Sequence, residues 1–197
     1  METKKRGVRR GRLTGEIKSK SRPARMIITT NTISTGNEDA MLKSLNKEFR
    51  GYLKENNFPV RISRNKTTFS EYLMDNFLIV KIIKRGITYS IFQEIYNISP
   101  FSTSDWAEIL NLSERSLNRY KTKDQLFKPI HSEKIIELAE VFILGQRVFG
   151  ENEKFKLWLH IPSLALGNIK PIELLGDSYG KELVVNELNR IEHGVFA

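Results

Sequence analysis

Residues 103–122 read Thr-Ser-Asp-Trp-Ala-Glu-Ile-Leu-Asn-Leu-Ser-Glu-Arg-Ser-Leu-Asn-Arg-Tyr-Lys-Thr. Two short helices, 103–111 and 113–121, fit this stretch, and they must cross steeply. A steep crossing needs a small residue where the helices touch, and Ala107 fills that place. Four positions later the turn needs a residue that tolerates positive φ. Asn111 is the best choice after glycine. Trp106, Leu110, Leu112, Leu117 and Tyr120 supply apolar flanks, and Ser113 is placed to cap the second helix with its hydroxyl. This is the residue pattern of a helix-turn-helix. It leaves Glu114, Arg115, Asn118, Arg119 and Thr122 facing outward, and arginine and asparagine suit the edges of guanine and adenine. Lys121, Lys123 and Lys128 are placed to meet phosphates. Ser113 completes the expected DNA-binding set. The plainer reading is an αα-hairpin with a solvated basic face, or a helix-turn-helix kept only as a scaffold.

On either side the spacing of apolar residues stays helical. Met41, Leu42, Leu45, Phe49, Tyr52 and Leu53 recur at three and four, which predicts a helix over 38–56. Residues 58–69 are ambiguous, because Val60 and Ile62 alternate with polar neighbours and permit a short strand. A helix follows over 70–85, closed by Gly86, and another from Thr88 to about Tyr96. Residues 132–149, opened by Ser132, are apolar nearly all round. Such a helix is buried on most sides, either in the core or against another subunit, and because one neighbour cannot cover it, it is expected at a homodimer interface. Helices over 151–159 and 178–191, and a short one from Pro171 to Leu175, complete the chain. No succession of strands supports a sheet, and the expected fold class is mainly α.

Net charge is +9, and it is unevenly placed. Residues 1–25 hold ten Lys and Arg against two Glu, so the arm carries +8 and the rest of the chain +1. Segment 1–36 has few apolar residues and no period, which predicts disorder. Either the arm binds phosphates through its charge, or it is a solubilising leader. There is no cysteine, which excludes disulfides, thiolate zinc sites and cysteine nucleophiles. No apolar run approaches the roughly 18 residues of a membrane span, and no secretory h-region follows the basic start. A cytoplasmic protein without membrane attachment is expected.

Two features invite a catalytic reading. Gly176-Asp-Ser-Tyr-Gly180 matches G-x-S-x-G, with His193 downstream. That motif needs a strand before the serine, and a short helix stands there instead. A helix–helix turn, capped by Ser178 and relieved of crowding by Gly180, accounts for it. His131, His160 and His193 are isolated, without metal-ligand spacing. No catalytic residue, metal or cofactor is expected.

The C-terminal quarter carries Val148-Phe-Gly150, Trp158-Leu159, Pro162, Ala165-Leu-Gly167, Lys170-Pro-Ile-Glu-Leu-Leu175, Gly180 and Arg190-Ile-Glu-His-Gly-Val195, in that order. The series resembles the toxin-binding domain of the Xre/MbcA/ParS antitoxins, and residues 103–122 resemble that family's Xre-like DNA-binding domain. The likeness covers about residues 80–197. Asn168 stands where the family often has a second glycine, and residues 1–79 lie mostly outside the pattern. The resemblance implies an Xre-like helix-turn-helix domain followed by a small helical toxin-binding domain. It divides the chain into a basic arm (1–36), a helical extension (37–79), a DNA-binding and dimerisation domain (80–148) and a toxin-binding domain (149–197). It further implies a homodimer that neutralises an NAD-degrading RES-domain toxin by covering its active site and represses its own operon at operator DNA. Carried across, the toxin contacts are Ala165, Leu166, Gly167, Arg190, Ile191, Glu192, His193, Gly194, Val195 and Phe196. Glu192 is expected to face basic groups in the toxin. The competing reading is a free-standing helix-turn-helix transcriptional regulator. The two differ by whether a RES-domain reading frame lies beside this one.

Overall fold

A computed structural model of the chain describes residues 36–58, 68–123 and 125–194. The expected disorder of the arm and the possible strand near Val60 lie outside the described residues. So do Val195 and Phe196.

The first helix, α1, spans Gly36–Glu55 and buries Leu45, Phe49, Tyr52 and Leu53 along one stripe. The helix expected over 70–85 is two helices: α2 (Phe69–Leu73) and α3 (Asn76–Arg85). The break has a local cause. The Asp75 carboxylate accepts the Leu78 N–H and opens a new helix, a short-side-chain cap that competes with continuing the old one. Next comes α4 (Tyr89–Ile98), capped by Thr88, whose hydroxyl accepts from Ile91 N–H. α1 packs chiefly on α4, and the Tyr52 hydroxyl donates 2.7 Å to the Gly86 carbonyl. The N-terminal extension is therefore built into the same core as α4.

α5 (Thr103–Ile109) and α6 (Glu114–Lys123) form the helix pair, and α7 (Pro129–Phe149) follows. The start of α7 differs from the expectation. Pro129 occupies its first turn, where a missing N–H costs nothing. Ser132 is no cap. It is fully buried, donates to the Phe127 carbonyl and accepts from the Ile87 N–H, both at 3.1 Å. One hydroxyl thus ties the turn before α4 to the loop after α6.

α8 (Asn152–His160), a single 3-10 turn (Leu164–Leu166), α9 (Pro171–Leu174) and α10 (Ser178–Glu192) complete the described residues. Among these residues there is no strand, only an isolated bridge between Ser163 and Ile169. α7 is the axis of the molecule, covered by α2, α3, α8 and α10. Ile135, Ile136, Leu138, Val141, Phe142 and Leu144 are all buried within one chain. The apolar circumference that pointed to a homodimer interface is mostly covered by the chain's own helices, and Phe142 is a core residue with 0% exposure.

Candidate nucleic-acid interface and partner-binding surface

The turn between α5 and α6 is built as its residues require. Ala107 is buried at the crossing, and its carbonyl accepts from the Leu112 N–H at 2.8 Å. Asn111 sits at φ 52°, in the left-handed region. The Ser113 hydroxyl accepts from the Ser116 N–H at 3.1 Å. Trp106 is fully buried, edge-on to Phe92 and Phe101, and its indole N–H reaches the Ser99 hydroxyl. Leu117 and Tyr120 anchor α6, and the Tyr120 ring stacks on Phe127 with centroids 4.1 Å apart.

With those anchors inside, Glu114, Arg115, Asn118, Arg119, Lys121, Thr122 and Lys123 are exposed. No ion pair among the described residues engages Arg115, Arg119, Lys121 or Lys123. Their charges are available to a ligand. Thr122 is less free, because its hydroxyl donates back to the Arg119 carbonyl. Ser113 is engaged as the cap. His131, in the first turn of α7, lies edge-on to Tyr120. Burial, and then the neighbouring Lys128, lower its pKa, so it favours the neutral form.

Within Ala165-Leu166-Gly167, Leu166 points inward at 8% exposure, while Leu164 stands out at 82%. The loop is closed on itself. The Ser163 carbonyl accepts from Leu166 and Asn168 N–H, Ser163 N–H donates to the Ile169 carbonyl, and Gly167 N–H donates to Leu164. Gly167 and Asn168 both take positive φ, 70° and 60°. Asparagine tolerates that region better than other non-glycine residues, so Asn168 replaces the family's second glycine without breaking the turn.

Arg190 is half-buried and pairs with Glu187 at 3.1 Å. Ile191 is also half-buried, and His193 and Gly194 are exposed. Glu192 already has a cation. Its carboxylate faces Arg147 of α7 with an ion-pair contact of 2.7 Å between Nε and Oε1 and one aligned Nη2–Oε2 hydrogen bond at 3.0 Å, while Nε and Nη1 are buried without a hydrogen bond. Glu192 therefore latches α10 to α7 within the chain. Ser178 is exposed at the start of α10, and the cap there is Asp177, which accepts from Gly180 N–H at 2.7 Å. Gly180 is required sterically, since a Cβ would lie 2.0 Å from the Leu174 carbonyl oxygen. The G-x-S-x-G stretch is a helix junction.

Residues 79–140 match the antitoxin Xre-like helix-turn-helix domain. Residues 144–194 match the antitoxin Xre/MbcA/ParS C-terminal toxin-binding domain. The chain belongs to the Xre/MbcA/ParS antitoxin family. The two matches together span more than half of the chain and meet inside α7, so one continuous helix serves both regions. An Antitoxin Xre of Yersinia enterocolitica is 29% identical over 121 residues, covering 61% of this chain and 82% of the relative. An Antitoxin Xre of Photorhabdus laumondii is 29% identical over 115 residues, covering 58% and 78%. A "Prs ADP-ribosylating antitoxin" of a Sphingobium species is 27% identical over 129 residues, covering 60% and 80%. The chain is thus an antitoxin of a toxin–antitoxin system, built on a helix-turn-helix. Among the described residues no helix is long and apolar enough to cross a membrane.

The sequence reading missed Arg147 and Leu164. Arg147 gives no periodic signal, because it lies on the rim of a helix that is apolar all round. Leu164 and Leu166 both sit in a 3-10 turn too short for any period to say which faces inward.

Proposed function

We propose that the chain neutralises a RES-domain toxin by covering its active site. We also propose that, as a cytoplasmic homodimer, it represses its own operon by laying α6 in the major groove of operator DNA. The observation that carries the DNA half is the exposed face of Arg115, Asn118 and Arg119, on a helix held rigidly from behind by Leu117 and Tyr120. Arginine bidentate to guanine and asparagine to adenine give sequence discrimination, and Lys121 and Lys123 supply phosphate contacts. A dimer suits this reading because two-fold symmetry would present two such helices to a palindromic site. The protein acts by binding, without catalysis.

The toxin half rests on the toxin-binding domain match and on the exposed apolar loop of Leu164. Two chemistries fit the toxin: degradation of NAD, or ADP-ribosylation, the activity named in the Prs ADP-ribosylating antitoxin of the Sphingobium species. The test is co-expression with the product of the adjacent reading frame. Co-purification, loss of toxicity and protection of an upstream DNA fragment are expected. NAD loss without protein labelling by free toxin would select the first chemistry. Failure of this chain to capture the toxin or to relieve its toxicity would overturn the neutralisation reading, and failure to protect the fragment would overturn autorepression.

A further inference from the structure

We infer that the solvent face of α1 is a second nucleic-acid contact, in which Lys43, Lys47, Arg50 and Lys54 lie along the phosphate backbone of duplex DNA beside the site read by α6. The inference rests on the DNA-binding reading and adds a surface that lies outside both regions matching the family.

Three observations carry it. The first is register. The four cations stand at i, i+4, i+7 and i+11 on α1, so they fall within roughly 60° of one another around the helix and run about 16 Å along its axis. Leu45, Phe49, Tyr52 and Leu53 take the other side into the core. Lys43, Lys47 and Lys54 are exposed and Arg50 is half-buried. Glu48 and Glu55 lie roughly 110–130° round the helix from the middle of the stripe. Glu38 and Asp39 stand in the first turn, where acids suit the helix dipole. No ion pair among the described residues engages any of the four cations. Lys43–Lys47 and Arg50–Lys54 are like-charged pairs at i, i+4, which weaken a helix. A polyanion laid along the stripe relieves that repulsion.

The second is chemistry. Among the described residues, none of the exposed large apolar side chains lies on α1. A protein-binding patch has an apolar or aromatic centre with charges at its rim. A bare row of cations fits a row of phosphates instead, and duplex DNA supplies one, with a charge for about every 1.7 Å of its axis.

The third is continuity. The C-terminal end of α1 is tied to the DNA-reading unit by direct contacts. Arg85, at the end of α3, donates through Nε to the Asn56 side chain at 3.0 Å. The Tyr52 hydroxyl holds the Gly86 carbonyl, and Gly86 packs so closely on the Phe127 carbonyl that a Cβ would clash. Phe127 N–H donates to the Ile87 carbonyl at 2.9 Å, and its ring stacks on Tyr120 of α6. The stripe is thus fixed in orientation relative to α6. At its other end, α1 is preceded in sequence by the arm with its ten cations.

The experiment measures binding of the full-length chain to its upstream DNA fragment and to a random duplex of equal length, by fluorescence anisotropy across a salt series. The test variant carries Lys43→Gln, Lys47→Gln, Arg50→Gln and Lys54→Gln together. A control carries Lys154→Gln, Lys156→Gln and Lys170→Gln, on the far part of the chain. With all four cations engaged, the slope of log affinity against log salt should fall by about 3.6, so a fourfold rise in salt weakens the variant roughly 150-fold less than wild type. The loss should be the same on both duplexes, leaving their affinity ratio intact, and the control slope should match wild type. The pair Lys43→Gln with Lys54→Gln, which disturbs the helix less, should show about half the change. If a variant with wild-type melting temperature keeps the wild-type slope, the stripe is refuted while the reading of α6 stands. Loss of toxin capture with DNA binding unchanged would assign the stripe to the protein partner and refute the inference equally. If wild type fails to prefer the upstream fragment but the stripe variant still loses slope on random duplex, autorepression falls and the stripe stands. If wild type binds neither duplex, both fall.

Discussion

Replacing Glu192 by leucine should cost more stability than replacing its partner Arg147 by methionine, although each removes the same ion pair. The side chains of Arg147 and Glu192 keep 18% and 27% of their exposure, so the pair is neither on the surface nor fully inside. Exposed pairs are worth about 0.2–1 kcal/mol, and breaking a buried pair costs about 3–5. An intermediate figure of about 1–3 kcal/mol applies here. The asymmetry comes from what each change leaves behind. Without Glu192, the guanidinium stays among α7 and α10 with its Nη1 already buried and unpartnered. Without Arg147, the carboxylate sits on the last turn of α10, where it can turn to water. Glu192→Leu should therefore cost about 2–3 kcal/mol and Arg147→Met about 1, by urea unfolding. The double variant should cost little more than Arg147→Met alone, because the stranded charge is gone. The coupling energy from this double-mutant cycle should be about 2–3 kcal/mol. Additive single costs with no coupling would refute the latch.

Four further outcomes follow from the same geometry. Arg119→Ala should weaken operator binding by about 1–3 kcal/mol and random DNA less, measured by fluorescence anisotropy; equal losses on both would make Arg119 a phosphate contact only. Deleting residues 1–25 should flatten the salt dependence of DNA affinity, because their ten cations act through counterion release; an unchanged slope would make the arm a bystander. Ser132→Ala strands the buried Ile87 N–H and Phe127 carbonyl, so it should destabilise by about 2–4 kcal/mol, judged by denaturation; a loss under about 0.5 would mean these groups find other partners. Truncation after His193 should leave folding and operator binding intact and reduce protection of cellular NAD against co-expressed toxin; full protection would place the inhibitory contact in the loop around Leu166 and Gly167.

The parts of this molecule that were legible in its sequence are those where one residue has one job. Ala107, Asn111 and Ser113 each answer a constraint set by neighbours a few positions away, so a crossing, a left-handed turn and a cap could be read without knowing the rest. The same locality explains the helix ends at Gly86, Thr88 and Pro171. What stayed hidden needed information from far along the chain. Ser132 looks like a cap beside its own helix and becomes a bridge only once Ile87, forty-five positions earlier, lies against it. Glu192 gives no local sign of its ion pair with Arg147, which comes from across the fold.

The helix over 129–149 shows the limit most sharply. An all-round apolar pattern counts the neighbours a helix needs, but it cannot say whose chain supplies them. Here α2, α3, α8 and α10 cover most of that pattern, so it does not by itself call for a second copy. The consequence is experimental. Phe142→Glu would unfold the chain whether or not it dimerises, because it places a charge in a fully buried site. Oligomeric state must be tested on the intact protein, by sedimentation equilibrium. A concentration-independent monomer mass, with operator affinity retained, would leave each α6 to read its half-site alone and remove the two-fold argument for a palindromic operator.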